Sequence, residues 1–349
     1  MKRLLRADAM RSFSEELCRA AGLNEADAAL LTDSVVFAEC RHMSSHGLLR
    51  LPNYIERIRC GRTEIHAEMP FTMESGAVAR LDAQNGLGQL AGRRAEEKAE
   101  ELAAKYGVSF VAVANSNHFG TGAWYAIPSA KKGFFAFNLS AAPSAMAPYG
   151  AREELLGTDP LCLALPRGEG KEPLVLDMAL SVAARGKIRL AALNGESIPL
   201  GWGTDENGTP TTDPKAVLNG GTLLPIGGAK GSGLAIFTEI LCSVLTGTTL
   251  LGGGGTLTDL TRNSDTAHIF GCVDIARFLP IEEFAARCEE SLARVTALTP
   301  VGENGEILLP GEPEERHYRE SLEKGVEVSE TLCEKLNALA AELGCTERL

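Results

Sequence analysis

NGLGQLAGRRAEEKAEELAAKYGVSFVAVANSNH, residues 85–118, decides between two kinds of α/β fold. Its G-x-G-x-x-A pattern precedes a helical stretch, as in the dinucleotide-binding turn of a Rossmann domain. That turn is normally followed, about 20 positions later, by an acidic residue at the end of the next strand. Here the next apolar run ends in VANSNH, which contains no Asp or Glu. We therefore predict that Gly86 and Gly88 form a tight turn and a close helix contact instead of a Rossmann site.

Strand-like and helical segments alternate around this stretch, from about residue 75 to residue 285. The β-rich runs are AVARLDA, VSFVAVA, FFAFNLS, LCLALP, LVLDMA and HIFGCVD. Helical stretches such as GQLAGRRAEEKAEELAAKYG lie between them. This alternation predicts an α/β construction for the central part of the chain.

Both ends of the chain are predicted to be helical. Apolar spacing and capping residues predict helices over residues 11–60, and again over 281–296 and 328–343. We therefore group residues 1–72 with 286–349 as one discontinuous helical domain. Residues 73–285 form the α/β domain in this prediction.

The overall composition argues against several classes of partner. The chain has 349 residues and a formal charge of −12, whereas nucleic acids and anionic membranes attract basic patches. No run approaches the roughly 18 apolar residues that span a bilayer, and the start lacks the apolar core of a signal peptide. Nine scattered cysteines without a C-x-x-C pair are typical of reduced thiols, so we expect a cytoplasmic protein without a metal site.

His118 lies where α/β proteins place ligands, in the polar, glycine-containing turn NSNHFGTG that follows an apolar strand. An imidazole titrates near neutral pH, so this side chain could give or take a proton during a reaction. The alternative is a loop histidine without a chemical role. The turn by itself does not decide between the two.

His46 and Arg50, in RHMSSHGLLRLPNYIERI at residues 41–58, would share one face if the segment is helical, because they are four positions apart. A guanidinium can hold a carboxylate through two parallel hydrogen bonds. The pair would suit an acid substrate that changes protonation as it reacts. The alternatives are a helix end with a surface histidine and arginine, or a metal clamp by His42 and His46, although no Glu completes an H-E-x-x-H pattern.

Two further segments carry charged residues at the ends of predicted elements. Asp177 ends the apolar strand LVLD, where its carboxylate could accept hydrogen bonds from a ribose or an amide, or could cap the next helix. In LLPIGGAKGSGLAIFTEIL, residues 223–241, a glycine-rich loop opens a helix whose first N–H groups suit an anion, and Lys230 adds a positive charge. The glycines do not match a P-loop, so the alternatives are a phosphate of another kind of ligand and a plain glycine-rich helix start.

Taken in chain order, these segments resemble the type-2 malate/L-lactate dehydrogenase family. The matching stretches are SHGLLRLPNYIERI, NGLGQLAG, NSNHFGTGAWYA, AMAPYG, GTDPLCLALP, DMALSVAARGKI, GWGTDENGTPTTDP, LPIGGAKGSGLAIFTEIL and LLPGEPE. They cover nearly the whole chain. The resemblance implies a non-Rossmann, mixed-sheet fold and NAD or NADP as cofactor. It also implies hydride transfer between a small-molecule 2-hydroxy acid, malate- or lactate-like, and its 2-oxo form, or reduction of a cyclic imine-2-carboxylate.

The resemblance also implies roles for single residues. His118 matches the acid/base, Ser45 and His46 match a Ser-His pair lining the same pocket, and Arg50 matches the arginine that binds the substrate carboxylate. Cofactor contacts are implied at Asp177, Met178, Ala179, Lys230, Gly228 and Ala142. Members are typically homodimers, which implies a dimerising, substrate-side helical domain and a cofactor-binding α/β domain. Because NLSAAPS departs from the family's polar pattern near the cofactor, a catalytically weak cofactor-binding homologue is the alternative.

Overall fold

The structure is a computed structural model that describes residues 2–302 and 305–349. Its α-helices are α1 (Ala7–Ala20), α2 (Glu25–Cys40), α3 (Leu51–Arg59), α4 (Gly88–Tyr106), α5 (Ala123–Lys131), α6 (Arg185–Asn194), α7 (Pro214–Leu218), α8 (Ala229–Glu239), α9 (Ile281–Thr296), α10 (Glu312–Lys324) and α11 (Glu330–Glu342). Its strands are β1 (Lys2–Leu5), β2 (Phe71–Ser75), β3 (Val78–Asp82), β4 (Phe110–Ser116), β5 (Phe134–Ser140), β6 (Leu161–Leu165), β7 (Leu174–Met178), β8 (Gly203–Thr204), β9 (Thr222–Leu223), β10 (Thr266–Asp274) and β11 (Val326–Ser329). A π-helix (Ile240–Val244) continues α8. Among these helices none has the length and apolarity that crossing a bilayer requires.

Seven strands form one mixed sheet in the order β2-β3-β4-β10-β5-β6-β7. β3 and β4 are parallel, and each of the other neighbouring pairs is antiparallel. A Rossmann domain needs a run of parallel strands joined by crossover helices. The predicted non-Rossmann α/β fold with a mixed sheet is therefore confirmed. Late in the chain, β10 enters the centre of the sheet between β4 and β5.

Helices cover both faces of this sheet. On one face α4 presents small side chains at four-residue spacing, Ala91, Ala95, Ala99 and Ala103, and all four are buried against the strands together with α5. On the other face the π-helix packs its Cys242 among side chains of β4 and β10. The strand ends that lead to His118 are thus held between two helical layers.

The glycines of the G-x-G-x-x-A stretch pack as predicted. A Cβ on Gly88 would lie 2.3 Å from the carbonyl oxygen of Asn117 and 2.4 Å from that of His118. A Cβ on Gly86 would lie 2.2 Å from the side chain of Met69. Only glycine therefore lets the start of α4 lie directly against the turn that carries His118.

The two chain ends meet in one helical unit. β1 pairs antiparallel with β11, and α1, α2, α3 and α11 share a single apolar core with them. The predicted helices over residues 11–60, 281–296 and 328–343 are confirmed, with α11 beginning two residues late. α9 contacts the β6–β7 connection, where Arg167 and Glu289 form an ion pair of 2.7 Å. The division into residues 1–72 with 286–349 and residues 73–285 stays a prediction.

A third apolar core separates a small unit from the large sheet. It contains Met146, Leu156, Leu180, Ile188 and Leu223, and it includes the buried side of α6 and α8. The sequence did not distinguish this unit, because its strands β8 and β9 are only two residues long. This unit carries the glycine-rich loop of residues 223–228 and the start of α8.

Candidate active site

His118 is held at the end of β4 by a contact from the helical unit. The hydroxyl of Tyr54, on α3, bonds Nδ1 of His118 at 2.7 Å. The hydroxyl can donate or accept, whereas the Gly120 N–H, which lies 3.4 Å from the same Nδ1, can only donate. The other ring nitrogen, Nε2, has no hydrogen-bond partner among the described residues, which leaves it available for a ligand.

The side chains whose charges shift the pKa of His118 are all basic. Burial lowers the pKa of His118 well below its usual value, and the side chains of His46, Arg50 and His268 lower it further. No carboxylate is among the groups that shift it. His118 is therefore neutral at neutral pH, in a positive potential that an acid substrate would relieve.

Ser45 and His46 lie beside His118, as the sequence predicts. The His46 and His118 rings stack with centroids 5.4 Å apart, and the Ser45 hydroxyl bonds Nδ1 of His46 at 2.9 Å. Burial, and then the charge of Arg50, lower the pKa of His46 to about 4. His46 is thus a second neutral imidazole, fixed in orientation by Ser45.

Arg50 completes the cluster, although the helix assumed from its spacing to His46 is absent at that point. Residues 44–47 form turns, and a 3-10 turn (Leu48–Arg50) leads into α3. Nε of Arg50 donates to the carbonyl of Ser45 at 2.6 Å, and its terminal nitrogens have no partner in residues 2–302 and 305–349. Burial lowers the pKa of Arg50, and the charge of Arg189 contributes to the shift. A fixed guanidinium with two free nitrogens suits a carboxylate.

His42 points away from this cluster. Its ring stacks on His317 of α10 at 4.1 Å, and its Nε2 faces the Ser321 hydroxyl at 3.4 Å. His46 stacks on His118 instead. The two imidazoles of the metal-clamp alternative therefore have different partners.

A buried histidine that the sequence analysis did not name as a site residue holds in place the turn that carries His118. His268, in β10, is fully buried, with Nδ1 2.9 Å from the Ser140 hydroxyl and Nε2 3.1 Å from the carbonyl oxygen of Asn117. A carbonyl can only accept, so Nε2 carries the proton. Its ring also stacks on Phe119 at 4.6 Å. His268 thus fixes the residues on both sides of His118.

Asp177 binds the start of the helix that follows the His118 turn. Its carboxylate accepts the N–H of Ala123, the first residue of α5, at 2.9 Å. The next helix, α6, begins after Ala184 without a side-chain cap, so Asp177 does not cap the helix that follows it, as the alternative assumed, but binds the start of the earlier helix α5. Burial raises the pKa of Asp177 to about 6, against the opposing effects of the Ala123 N–H and Arg41.

The remaining predicted cofactor residues lie on connected segments. Met178 and Ala179 follow Asp177, and the next residue, Leu180, accepts the N–H of Ile226 at 2.9 Å. The turn that ends β7 is therefore joined to the glycine-rich loop before α8. Ala142 lies beyond β5 and donates its N–H to Asp159 at 3.1 Å.

The start of α8 has room for an anionic group. Gly228, at φ +63°, precedes the helix without a side-chain cap, so the first N–H groups lack an internal acceptor. A Cβ on Gly227 would meet no atom within 4 Å, and Lys230 is exposed in the first turn. These features fit a phosphate of a dinucleotide.

The structure thus brings Ser45, His46, Arg50 and His118 into one cluster. Asp177 is connected to that cluster only indirectly, because it binds the first residue of α5, the helix that follows His118. Lys230, Gly228 and Ala142 lie on neighbouring segments and do not contact the cluster. Cavities of about 520 Å³ and 620 Å³ lie elsewhere on the molecule, and His118 lines neither. His46, Arg50 and His118 are each partly buried.

A mixed-sheet fold of this kind places the chain in a class of oxidoreductases that is distinct from the Rossmann dehydrogenases. Residues 5–337 match the family described as malate/L-lactate dehydrogenase. The chain belongs to this family.

Relatives and solved structures agree with this assignment over nearly the full length. The malate dehydrogenase of Pyrococcus abyssi is 33% identical over 344 residues, which cover 97% of this chain and 94% of the relative. The solved sulfolactate dehydrogenase of Methanocaldococcus jannaschii superposes with a TM-score of 0.92 at 32% identity, covering 99% of this chain and 98% of the other. A pyrroline-2-carboxylate/piperideine-2-carboxylate reductase of Pseudomonas putida is 36% identical over 239 residues, 68% of this chain and 70% of that protein.

Proposed function

We propose that the protein is an NAD(P)-dependent oxidoreductase that interconverts a 2-hydroxy acid and its 2-oxo acid, with His118 as the acid/base. The observation that carries the proposal is the His118 environment. A neutral imidazole has one nitrogen bound to Tyr54 and the other free, beside an arginine whose terminal nitrogens lack a partner. The named activities of the relatives support the reaction class.

In this proposal Nε2 of His118 exchanges a proton with the substrate oxygen. When the hydroxy acid is oxidised, neutral His118 takes the hydroxyl proton at Nε2. This needs the tautomer in which Nδ1–H donates to the Tyr54 oxygen at 2.7 Å and the longer contact from the Gly120 N–H, at 3.4 Å, is given up. In the reverse direction the imidazolium returns the proton. The lowered pKa leaves His118 ready as a base, and bound substrate carboxylate would raise that pKa again.

Arg50 holds the substrate carboxylate in this proposal. The two free nitrogens of its guanidinium can bind both carboxylate oxygens. The hydrogen bond from Nε to the Ser45 carbonyl fixes the orientation of the guanidinium. The neutral His46 ring, stacked on His118, would line the same pocket without adding a competing charge.

The cofactor, NAD or NADP, would supply or accept the hydride when bound. Gly228 and Lys230 would hold a phosphate at the start of α8. Asp177, Met178, Ala179 and Ala142 would line the neighbouring part of the site. The bond from Ile226 to Leu180 keeps these segments in a fixed relation.

We favour a substrate with a second acid group, such as malate or sulfolactate, over lactate. Arg50 and Arg189 are close enough for their charges to interact, and the groups that shift the pKa of Arg50 include the Tyr54 phenol but no carboxylate. A second anionic group would offset the repulsion between the two cations. The named substrates of the P. abyssi and M. jannaschii proteins are of this kind.

Reduction of a cyclic imine-2-carboxylate is the second candidate. The P. putida reductase supports it, because its similarity extends over two thirds of this chain. The same arginine and proton donor would serve this substrate.

We also propose a homodimer formed through the exposed face of α8 and the π-helix. Leu234, Phe237, Ile240, Val244 and Leu245 are exposed there, at spacings that place them on one side of the helix. Such a contiguous apolar face normally marks an interface. The same helix begins at Gly228 and Lys230, so a second copy on this face would lie near the cofactor residues.

One assay tests the reaction. Purified protein is mixed with NADH or NADPH and a panel containing oxaloacetate, sulfopyruvate, pyruvate and a cyclic imine-2-carboxylate, and nicotinamide absorbance is followed. We expect oxidation of one cofactor with a dianionic 2-oxo acid. Enhanced nicotinamide fluorescence without oxidation by any substrate would mean that the protein binds the cofactor but is not this enzyme.

The interface has its own test with a matched control. Phe237→Asp should convert a dimer to monomers in sedimentation, because a buried charge would replace an apolar contact. Phe278→Asp alters a side chain of similar exposure, 80% against 71%, away from this face, and should leave the dimer intact. A Phe237→Asp protein that sediments like the wild type would contradict the proposed interface.

A further inference from the structure

Two carboxyl groups face each other in the interior, next to the predicted cofactor segments. Asp159, before β6, and Glu239, the last residue of α8, are both fully buried. Oδ1 of Asp159 accepts the Ala142 N–H at 3.1 Å, and Oε2 of Glu239 accepts the Ser243 hydroxyl at 3.2 Å. The remaining oxygens, Oδ2 of Asp159 and Oε1 of Glu239, are buried without a donor among the described residues, and the two carboxyl groups lie within hydrogen-bonding reach of each other. Two carboxyl groups can hydrogen-bond only if one bears a proton, so the pair shares one.

Among the described residues, no cation is one of the groups that shift the pKa of Asp159. Burial raises the pKa of Asp159 well above its usual value, and Glu239 raises it further. Cys242, on the π-helix, is the other titratable group beside the pair; burial and both acids raise the pKa of its thiol. The β5 and Ala142 side contributes a backbone N–H, and Ser243 contributes a hydroxyl. The arrangement is thus stable only with the shared proton in place.

The pair joins two segments that the proposed function assigns to the cofactor. Asp159 binds the backbone of Ala142, and Glu239 terminates the helix that begins after Gly228 and carries Lys230. The chain around Asp159 and Ala142 is tightly packed, since a Cβ on Gly157 would lie 2.3 Å from both the Ala142 oxygen and Oδ1 of Asp159. Separation of the two carboxyl groups would therefore move the Ala142 segment relative to α8.

We propose that Asp159 and Glu239 are positioning residues that share one proton and hold the Ala142 segment against α8, so that loss of the proton weakens binding of the nicotinamide cofactor. The inference rests on the proposed function, in which those segments contact NAD or NADP. Two adjacent ionised carboxylates would repel each other in a buried site. Because the folded-state pKa of Asp159 is raised, the stabilising arrangement is present at lower pH and is lost as the pH rises through that value.

Asp159→Asn is the decisive variant. The amide oxygen of Asn keeps the Ala142 bond, and its NH₂ can donate to a carboxyl oxygen of Glu239 without a titrating proton. Asn also tolerates the positive φ of +39° that the backbone adopts at residue 159. Glu239→Gln is the converse replacement, and it leaves Asp159 as the ionised acceptor.

Glu96→Gln is the matched control. Glu96 is another buried acid, with a pKa raised to about 8 by burial, but it bonds Ser129 between α4 and α5. It has no contact with Ala142 or α8. Glu96→Gln therefore removes a buried titratable group without altering the Ala142 segment or α8.

Affinity for NADH and NADPH is measured by nicotinamide fluorescence from about pH 6.5 to about pH 9 for the four proteins. We expect wild type and Glu96→Gln to lose affinity as the pH rises, approaching a limit of about tenfold per pH unit. Asp159→Asn and Glu239→Gln should bind with a nearly constant affinity. Equal pH dependence in Asp159→Asn and wild type would overturn the shared-proton inference.

Urea unfolding of the ligand-free proteins over the same pH range separates this inference from the proposed function. Asp159→Asn should be more stable than wild type, and increasingly so at higher pH, because it no longer needs the proton. A stability difference that does not change with pH would contradict the shared proton. If no protein bound either cofactor, the proposed function would be wrong, while the urea result would still decide whether the proton is shared.

Discussion

His268 lies in β10 and His118 lies just beyond the end of the adjacent strand β4, but the two histidines have opposite surroundings. Both nitrogens of His268 are bound, to Ser140 on one side and to the Asn117 carbonyl on the other. His118 has hydrogen-bond contacts at Nδ1 only, with the Tyr54 hydroxyl at 2.7 Å and the Gly120 N–H at 3.4 Å. The comparison shows that a free nitrogen, and not merely an imidazole near the strand end, distinguishes an acid/base candidate from a scaffold residue.

The charges at the two histidines differ as well. Burial alone accounts for the pKa of His268, which falls to about 3 despite the opposing bond to Asn117. At His118, Arg50 and His46 add to the effect of burial. An anionic substrate would offset the charge of Arg50, so its binding should change the protonation of His118 and leave that of His268 unchanged.

We expect the largest effect on activity from a substitution that removes the free Nε2 of His118. His118→Ala should lower kcat by about 10²-fold or more, the usual contribution of a general acid or base. Nicotinamide binding, followed by fluorescence, should be retained. A decrease of less than about threefold would remove His118 from this role and make it equivalent to His268.

The second effect concerns the cation that distinguishes the His118 region. Arg50→Lys should raise KM for the acid about tenfold with a smaller change in kcat, because a two-pronged contact becomes a point charge. Steady-state kinetics with the best substrate measure this directly. An unchanged KM would place the carboxylate elsewhere, and Arg189→Lys would then be the next variant to examine.

A third variant tests the scaffold role of His268. His268→Phe keeps a ring against Phe119 but leaves the Asn117 carbonyl without its donor, which should cost about 1–3 kcal/mol of unfolding free energy. We expect kcat to fall by about tenfold with KM little changed, because the proton-transfer geometry loosens. His268→Gln, which can still donate, should recover part of both losses. A Gln variant no better than Phe would argue against the carbonyl contact.

The smallest effect is a shift in pH dependence. In wild type, kcat/KM for oxidation should be level near neutral pH and fall at lower pH as His118 becomes protonated. Tyr54→Phe removes the oxygen that accepts from Nδ1–H of the imidazolium, so the fall should move to still lower pH. The activity itself should drop by several-fold at most. An identical profile in Tyr54→Phe would show that the contact does not tune His118.

Six of the seven strands of the sheet could be predicted, because each is a short apolar run followed by a polar turn, whereas β2, FTMES, is mostly exposed and carries no such pattern. FFAFNLS coincides with β5, and VSFVAVANSNH places His118 just beyond β4. The strand after the G-x-G-x-x-A stretch is not followed by an acidic residue. This absence correctly predicted that the sheet is not the parallel sheet of a Rossmann domain. Residues close in sequence determined these features, so local patterns were sufficient.

The contacts that define the site came from distant parts of the chain. Tyr54 lies 64 positions before His118, and His268 lies 151 positions after Asn117. Neither pairing has a local signal, since a tyrosine at a helical position and a histidine inside a strand are both ordinary core residues. The pairing of β1 with β11 was missed for a similar reason, because four-residue strands at opposite ends carry little periodicity.

The most direct measurement is the nitrogen NMR spectrum of ¹⁵N-histidine-labelled protein, with and without a reduced nicotinamide and an unreactive 2-oxo acid analogue. Assignments come from His118→Ala and His268→Phe. We predict that, among the six histidines, Nε2 of His118 shifts most and its pKa rises, while His268 stays neutral and unchanged. A complex in which His118 does not respond, or in which His268 responds instead, would contradict the account.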